Sequence, residues 1–406
     1  METINNKLVL GGVSCEDLAT EFGTPLFVYE EDVIRGRIRA LREAITYDKT
    51  GILYACKANA NLAVIRIAEQ EGCQIDAVSP GEVFMAKKAG FSPDRIHFTG
   101  NNVTDDEMRY VHDQGVAINV DSLEQLERFG KMFPGEAVGM RINPDVGGGH
   151  HDHCITGGPD SKFGIYFDRM EEARHIASQH GLRIRGVHQH IGSGILDPAL
   201  FKIAMKVILD VAKAIPGLEY IDFGGGIGVP YAPDEEHIDV PELGKAITNG
   251  FEAFCAEYGS RPNLYVEPGR YLVCEAGFLL ARCNTLKETP KHKFAGTDSG
   301  FNHLIRHPMY GSYHAIANAS NVEDEKIQYA VAGNICESGD LFTHGRQISR
   351  ISVGDIIAVL NAGAYGYAMS SNYNSRPRPA EVIVKDGQAR LVRQRETFED
   401  LLKGQE

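Results

Sequence analysis

The sequence lacks the features that mark membrane, secreted and nucleic-acid-binding proteins. It has no run of about 18 apolar residues, so no membrane span is expected. No charged start precedes an apolar stretch, so no signal peptide is expected either. Acidic residues outnumber basic residues by 55 to 41, and no basic patch is present that would attract a phosphate backbone. These absences predict a cytoplasmic enzyme whose partners are small molecules rather than nucleic acid or a membrane.

Paired cysteines are also missing. The eight cysteines are scattered without a CxxC pair, which argues against a zinc site and, in a chain of 406 residues, against a disulfide framework. Most of them are expected to be small buried apolar residues. Cys336 is set apart from the others because it lies in the polar, turn-rich segment 333–340.

What the sequence does contain is a regular alternation of apolar runs and helix-like stretches. Eight short runs fill the first two thirds of the chain, at 52–56, 74–78, 95–98, 116–120, 137–142, 184–190, 219–223 and 264–267. Two helix starts in this region, 79–82 and 104–107, have the sequence of a capping box. The alternation predicts a (β/α)8 barrel of the TIM type, in which the loops after the strands build the active site.

The alternation stops after Glu267, and β-like runs broken by glycine and proline follow at 278–283, 327–332, 356–359 and 381–384. One further β-like run, 25–29, precedes the barrel, and we expect it to join the C-terminal sheet. The predicted architecture is therefore α/β, with a barrel domain at 36–275 inserted into a mostly β domain made of 1–35 and 276–406.

Chemically reactive residues follow the barrel runs. Lys57 comes directly after the apolar run 52–56, where a partly desolvated amine can form a Schiff base with a carbonyl. Taken alone, it reads better as a surface lysine that happens to end a strand. The glycine turn 224–228 could be mistaken for a dinucleotide motif, but prolines follow it at once and no helix opens there. Its backbone amides can still cradle a phosphate. Together with Glu267 and Arg270, these features predict pyridoxal phosphate.

Six strings occur in the order seen in a known family: 54–59, 188–193, 224–228, 267–270, 336–340 and 363–366. The chain resembles the alanine-racemase-like, pyridoxal-phosphate-dependent barrel decarboxylases of basic amino acids over nearly its whole length. The string 369–381 resembles the branch that acts on diaminopimelate. The resemblance implies decarboxylation of meso-2,6-diaminopimelate at its D centre, which yields L-lysine and carbon dioxide as the last step of lysine biosynthesis. The alternative is another basic substrate, such as ornithine or arginine.

The resemblance also implies roles at the cofactor. Lys57 would hold the cofactor covalently, His190 would stack on the pyridine face, and Glu267 would pair with the pyridine nitrogen so that the ring accepts electrons. The remaining residues implied to bind the cofactor, most of them at the phosphate, are Asp76, Ser193, Gly224, Gly225, Gly226, Gly269, Arg270 and Tyr365.

Catalysis and substrate selection are assigned by the same resemblance. Cys336 would supply the proton that ends the reaction and would reach the site from a partner subunit, so a homodimer is expected. A thiol with a pKa of about 8.5 suits this task. The residues implied to bind substrate are Arg270, Arg306, Tyr310, Glu337 and Tyr365. For Arg306, the alternative is a surface charge at a sheet edge.

The longest irregular stretch, 143–162, is expected to be an active-site loop. Its segment 149–154 contains three histidines, an aspartate and a cysteine. No metal is expected there, because adjacent residues of an extended loop point in opposite directions and known zinc ligands are spaced further apart. We expect the histidines to line or cover the pocket. Two other functions stay open for the chain: a racemase of the same fold, and a non-catalytic cofactor carrier, against which the long β region argues.

Overall fold

Eight parallel strands form a closed barrel in the computed structural model, which describes residues 1–151 and 154–406. The strands are Thr50–Ala55, Gln74–Ala77, Ile96–Phe98, Ala117–Val120, Ala137–Asn143, Arg183–His188, Tyr220–Asp222 and Asn263–Val266. Each strand pairs with the next in the chain, and the eighth pairs with the first, which closes the ring. The predicted TIM-type barrel is confirmed.

Helices follow the barrel strands, and polar residues cap their starts. The longer helices are Glu31–Ala44, Leu62–Gln70, Pro80–Ala89, Asp105–Asp113, Leu123–Met132, Met170–Gln179, Pro198–Lys213 and Val240–Tyr258. A side-chain oxygen accepts a first-turn N–H at Asn61, Ser79, Thr104, Ser122, Asp197 and Asp239. These bonds satisfy amides that have no partner inside the helix.

The two predicted capping boxes differ. The box at Thr104 is complete, since Glu107 accepts the Thr104 N–H and Thr104 accepts the Glu107 N–H. At Ser79 the prediction of a reciprocal box was wrong in one half. The hydroxyl of Ser79 accepts from the Glu82 N–H, but the Glu82 carboxylate accepts from Val78 instead of Ser79. Both arrangements satisfy two amides.

Large side chains fill the barrel interior. The ring of His97 meets the rings of Tyr220 and Tyr265 edge-on at centroid distances of 5.1 and 4.9 Å. The Tyr220 hydroxyl donates to Asn119 Oδ1 at 2.5 Å. Burial lowers the pKa of His97 to about 4, so its ring is neutral and packs as an aromatic. This closed interior confines chemistry to the barrel's ends.

A mixed sheet forms the second part of the fold. Its strands, in hydrogen-bonded order, are Leu341–Ser349, Lys326–Ala332, Lys293–Thr297, Gly277–Glu288, Leu26–Glu30, Ala380–Lys385 and Gln388–Arg393. Ile356–Val359 pairs with both Gly277–Glu288 and Ile316–Asn318. The N-terminal strand Leu26–Glu30 lies inside this sheet between two C-terminal strands, as the sequence predicted.

Smaller elements are also present in the part of the chain that the structure describes. The remaining strands are Glu2–Ile4, Lys7–Leu10, Val13–Ser14, Gly148–Gly149, Ile165–Tyr166 and Gly192–Ser193. The short helices are Cys15–Phe22, Arg270–Val273 and Arg306–Tyr310. The single-turn 3-10 helices are Cys56–Ala58, Pro93–Arg95, Phe167–Arg169, Tyr367–Met369, Tyr373–Ser375 and Asp400–Leu402.

The chain divides into two compact units. One unit comprises Met1–Gly36, Pro230–Glu235 and Leu272–Glu406, and the barrel unit comprises Arg37–Val229 and Glu236–Tyr271. We call the first of these the sheet unit. The predicted domain boundaries, 36–275 against 1–35 with 276–406, stay a prediction. Within residues 1–151 and 154–406, no helix is long and apolar enough to cross a membrane.

Candidate active site

An amine and a carboxylate face each other at the ends of the first two barrel strands. Lys57 lies in the single-turn helix Cys56–Ala58 that follows the first strand, and its Nζ donates to Asp76 Oδ2 at 3.0 Å. Asp76 is fully buried, and its other oxygen accepts from the Thr99 hydroxyl. The Lys57 side chain keeps 30% exposure. Lys57 is therefore held at one end by a buried acid while it stays open to solvent.

A second buried carboxylate follows the eighth strand. Glu267 is 2% exposed and accepts from Nε2 of His188, the last residue of the sixth strand, at 3.0 Å. Burial favours the neutral acid, but the charge and hydrogen bond of His188, together with the charges of Lys57 and Arg141, outweigh it, and the pKa of Glu267 is lowered. Glu267 is accordingly ionised, which a buried carboxylate achieves only with such a partner.

A third acid, Asp222, ends the seventh strand and is fully buried beside them. Its Oδ1 accepts the Gly224 N–H at 2.8 Å. Burial and then the negative charge of Glu267 raise the pKa of Asp222 well above its ordinary value. One side-chain atom each of Asp222, Glu267 and His188 lies within 4.8 Å of the others. Since His188 Nε2 already bonds to Glu267, we treat the three as a buried acid cluster and not as a metal site.

The glycine turn after the seventh strand approaches other backbone too closely for a side chain. A Cβ on Gly224 would lie 1.9 Å from the Gln189 carbonyl oxygen, and one on Gly225 would lie 2.1 Å from the Glu267 carbonyl oxygen. Gly224 also has a positive φ of 70°, which favours glycine. The turn is therefore a bare backbone surface between the sixth and eighth strand ends, with Gly226 as its third glycine.

His190 is fixed by this turn. The Gly225 N–H donates to His190 Nδ1 at 3.1 Å, so Nδ1 is the acceptor of the ring. The pKa of His190 is well below its ordinary value because the ring is enclosed, with the charges of Lys57 and Arg141 adding to the effect. His190 is therefore a neutral imidazole with one tautomer and one orientation. It was expected at the end of the sixth strand, but that strand ends at His188 and His190 lies in the following loop.

A guanidinium and a hydroxyl meet beside the glycine turn. Arg270 opens the helix after the eighth strand and donates from Nε and Nη2 to Ser193 Oγ at 3.2 and 3.0 Å. Gly269 precedes Arg270 and packs against the single-turn helix that contains Lys57. A Cβ added to Gly269 would lie 3.0 Å from Ala58 Cβ. Ile195, two residues after Ser193, donates its N–H to the Gly226 carbonyl at 3.0 Å. The group offers positive charge and donors suited to an anion.

The predicted active-site loop is partly ordered by its neighbours. The side chain of Asn143 joins the two ends of the loop, since it donates to the Gly158 carbonyl at 3.0 Å and accepts from the Gly158 N–H at 2.9 Å. His150 Nδ1 lies 3.0 Å from the Ser193 carbonyl oxygen, so this histidine contacts the segment that carries Ser193. Of the three histidines, the aspartate and the cysteine in segment 149–154, Asp152 and His153 lie outside the described residues.

In the sheet unit, Arg306 lies at the start of a short helix and is 1% exposed. This burial contradicts the alternative of a sheet-edge surface charge. Its Nη2 donates to Ser312 Oγ at 3.1 Å. Its guanidinium carbon lies over the rings of Tyr231 and Tyr310, 5.0 and 5.7 Å from their centroids. Two aromatic faces thus flank the buried cation.

Cys336 and Glu337 are exposed residues of the same unit. The Cys336 N–H donates to Asn374 Oδ1 at 3.0 Å, and the Glu337 carboxylate accepts from the Tyr373 hydroxyl. Tyr365 is half-buried with a φ of 56°. All three lie outside the helices and strands, and the positive φ of Tyr365 is uncommon for a residue other than glycine.

Sequence reasoning missed four residues of these clusters. His188 and Asp222 end barrel strands, and that position was the available signal for both. Tyr231 and Tyr373 contact Arg306 and Glu337 from distant parts of the chain, and no local pattern pointed to them. Arg141, in the fifth barrel strand, is buried, its guanidinium carbon lies 4.4 Å from the centroid of the Phe163 ring, and its Nη1 lies 3.7 Å from Asp121 Oδ1.

Comparison with known proteins places this fold and lysine-centred site in a class. Residues 31–274 match the family model described as the pyridoxal binding domain of pyridoxal-dependent decarboxylases. This is the class that the barrel and its strand-end residues define, and its cofactor is pyridoxal phosphate.

Three similar proteins indicate which family within this class the chain belongs to. A diaminopimelate decarboxylase from Methanothermobacter thermautotrophicus is 51% identical over 99% of this chain and 96% of its own length. One from Escherichia coli K12 is 36% identical over 95% of this chain and 94% of its own. The structure of the Methanocaldococcus jannaschii enzyme in complex with L-lysine superposes with a TM-score of 0.92 at 34% identity, covering 100% of this chain and 97% of that one. The chain belongs to the family of diaminopimelate decarboxylases, which confirms the predicted resemblance.

Proposed function

We propose that this chain removes the carboxylate at the D centre of meso-2,6-diaminopimelate and releases L-lysine and carbon dioxide. The observation that carries the proposal is the 51% identity over 99% of the chain to a diaminopimelate decarboxylase. The L-lysine complex of a relative supports the same product. The barrel-end cluster around Lys57 supplies the chemical means.

The residues present fit pyridoxal phosphate. The amine of Lys57 suits a covalent bond to an aldehyde, and ionised Glu267 suits a protonated ring nitrogen. The side-chain-free turn at Gly224, Gly225 and Gly226, with Arg270 and Ser193 beside it, suits a phosphate. When bound, the cofactor supplies a conjugated ring that accepts the electrons left by carbon dioxide.

The chain's own residues prepare each part of this site. Asp76 accepts a hydrogen bond from Lys57 Nζ and holds the amine at the mouth of the barrel. The Gly225 N–H orients His190, whose neutral ring is suited to lie against a flat aromatic group. His188 keeps Glu267 ionised, so Glu267 can hold a proton shared with a ring nitrogen. The positions of Gly269 and Tyr365 at the cofactor belong to the same proposal.

We assign substrate recognition to the sheet unit and Arg270. Arg306 and Arg270 would bind the distal carboxylate, with Tyr310 beside Arg306, and Glu337 would bind the distal ammonium. Planar guanidinium groups match a carboxylate through two parallel hydrogen bonds. Ornithine and arginine lack that carboxylate and would leave buried positive charge unmatched.

Cys336 would donate the final proton at the active site of the partner subunit, so the proposed assembly is a homodimer. Its exposure is compatible with service to another chain. Light scattering tests the dimer, and a hybrid of two defective chains tests the exchange. Lys57→Ala and Cys336→Ala chains, co-expressed, form hybrid dimers with one intact site if Cys336 acts in trans. Recovery of activity supports the proposal, and its absence with confirmed hybrids contradicts it.

The substrate assay is direct. Purified protein with pyridoxal phosphate is given meso-diaminopimelate, ornithine, arginine or lysine, and carbon dioxide and the amine product are measured. We expect L-lysine from diaminopimelate and little turnover of the others. Turnover of ornithine alone would overturn the proposal. Recovery of epimerised diaminopimelate without carbon dioxide would identify a racemase instead.

A further inference from the structure

The acid cluster below the glycine turn contains one carboxyl that the proposed mechanism does not use. Asp222, Glu267 and His188 end the seventh, eighth and sixth strand regions, and all three are buried to 2% exposure or less. His188 Nε2 bonds to one oxygen of Glu267, Oε2. The inference below rests on the proposed role of Glu267 toward the cofactor ring.

Two buried oxygens in this cluster accept no hydrogen bond from the described residues. They are Glu267 Oε1 and Asp222 Oδ2. The other oxygen of each acid is satisfied, by His188 and by the Gly224 N–H respectively. Buried polar atoms are normally paired, so two such neighbours call for an explanation within the protein. A proton on Asp222 Oδ2 would turn one of these acceptors into a donor for the other.

Charge balance points to the same arrangement. One side-chain atom of Asp222 and one of Glu267 approach within 4.8 Å, and the positive groups that act on Glu267 are His188, Lys57 and Arg141. Two ionised carboxylates that close cannot both be stable in a buried site. The hydrogen bond from His188 goes to Glu267, so Glu267 is the ionised member and Asp222 the neutral one.

We propose that Asp222 is a neutral carboxylic acid that donates its Oδ2 proton toward Glu267 and thereby positions the Glu267 carboxylate at the base of the cofactor site. Asp222 touches no reacting atom and is a positioning residue. It acts with His188 on opposite oxygens of Glu267. Two donors fix the plane of the Glu267 carboxylate and reduce its affinity for a proton.

The titration behaviour of the cluster supports this arrangement. Burial, followed by the charge of Glu267, raises the pKa of Asp222 well above its ordinary value, and Asp76 adds to the rise. The pKa of Glu267 is lowered against its own burial by His188, Lys57 and Arg141. The pKa values of the two acids are therefore shifted in opposite directions, and such paired shifts mark functional carboxyl groups.

Two substitutions separate this role from simple packing. Asp222→Asn keeps the shape, an acceptor for the Gly224 N–H and a donor toward Glu267, so it imitates the neutral acid. Asp222→Leu has similar bulk but no donor or acceptor. We expect Asp222→Asn to stay near the parent kcat and Asp222→Leu to lose about 10- to 100-fold, the range for groups that orient an active-site ligand. If both lose equally, the neutral-acid role is wrong.

An infrared measurement tests the proton itself without relying on activity. The full-length protein, with and without pyridoxal phosphate, should show a protonated carboxylic acid band at alkaline pH that disappears in Asp222→Asn. Glu82 provides a matched control, because burial raises its pKa to about 7. Its band should vanish at alkaline pH in the parent, and Glu82→Gln should leave the Asp222 band unchanged.

The outcomes distinguish this inference from the proposed function. An Asp222 band in the cofactor-free protein supports the neutral acid whether or not Glu267 serves the ring. Loss of the ring-nitrogen role would appear separately, as a cofactor absorbance unchanged by Glu267→Gln. Absence of any band dependent on Asp222, in both forms of the protein, overturns the inference.

Discussion

The barrel unit and the sheet unit hold their reactive groups in different ways. In the barrel, the side chains at strand ends are paired with buried carboxylates, as Lys57 is with Asp76 and His188 with Glu267. In the sheet unit, Cys336 and Glu337 are exposed, whereas Arg306 is buried. The barrel therefore holds in a preorganised arrangement the groups that we assign to the cofactor, whereas the sheet unit presents groups that we assign to substrate and to the partner subunit.

The largest expected effect comes from removing the barrel amine. Lys57→Ala should abolish decarboxylation and the visible absorbance of the covalently bound cofactor near neutral pH. The reason is that the substitution removes the amine that forms the bond, and the carboxylate of Asp76 cannot replace it. Absorbance spectra and carbon dioxide release measure this. Lys88→Ala, at an exposed position on the helix Pro80–Ala89, is the matched control and should change neither. An unchanged spectrum in Lys57→Ala contradicts the assignment.

The next effect tests the exposed group of the sheet unit. Cys336→Ala should bind cofactor normally but turn over about 100- to 10,000-fold more slowly, since a positioned proton donor contributes that much. Stopped-flow absorbance separates cofactor binding from turnover. Cys336→Ser keeps the shape of the side chain but is a poorer acid, so its turnover rate should lie between those of the parent and Cys336→Ala. Full activity of Cys336→Ala would mean that another acid donates the proton.

A smaller effect is expected at the buried arginine. Arg306→Lys keeps the charge but loses the planar fork, so the KM for diaminopimelate should rise about 10- to 100-fold, the value of a charge-assisted hydrogen bond. Steady-state kinetics measure the change. Arg346→Lys is the matched control, because Arg346 also stacks on a tyrosine of the sheet unit, 3.4 Å from the Tyr313 centroid. An equal rise in KM for Arg306→Lys and Arg346→Lys would contradict a specific role of Arg306 in substrate binding.

The smallest effect concerns the aromatic face beneath Arg306. Tyr231→Leu removes a ring 5.0 Å from the guanidinium and should raise the same KM about 2- to 30-fold, the range of a cation–π contact. Tyr231→Phe keeps the ring and loses the hydroxyl, which contacts Cys274 Sγ at 2.9 Å, so its KM should stay near the parent value. A larger effect in Tyr231→Phe than in Tyr231→Leu would assign the role to the hydroxyl.

The barrel and the position of its reactive lysine could be predicted because both follow from local pattern. Short apolar runs that alternate with helix-like stretches mark the strands, and the residue after a run falls at the mouth of the barrel. The N-terminal strand in the C-terminal sheet also followed from its isolation before the barrel, although the polar strands Lys293–Thr297 and Leu341–Ser349 were missed. Their inner and outer faces are too mixed for a clear alternation.

Pairing between side chains could not be predicted in the same way. A strand end tells which residues reach the site, but not that His188 bonds Glu267, 79 positions later, or that Asp222 lies beside both. The protonation of buried acids depends on such contacts and not on composition. The same holds for Tyr231 and Arg306, which come together only through the fold.

The most direct test of the account is reductive trapping of the cofactor on the barrel lysine. The holoenzyme is treated with borohydride, digested, and its lysine peptides are weighed by mass spectrometry. The account predicts a pyridoxyl group on the peptide that contains Lys57 and an unmodified peptide that contains Lys88. An unlabelled Lys57 peptide, or the label on another lysine, would contradict it.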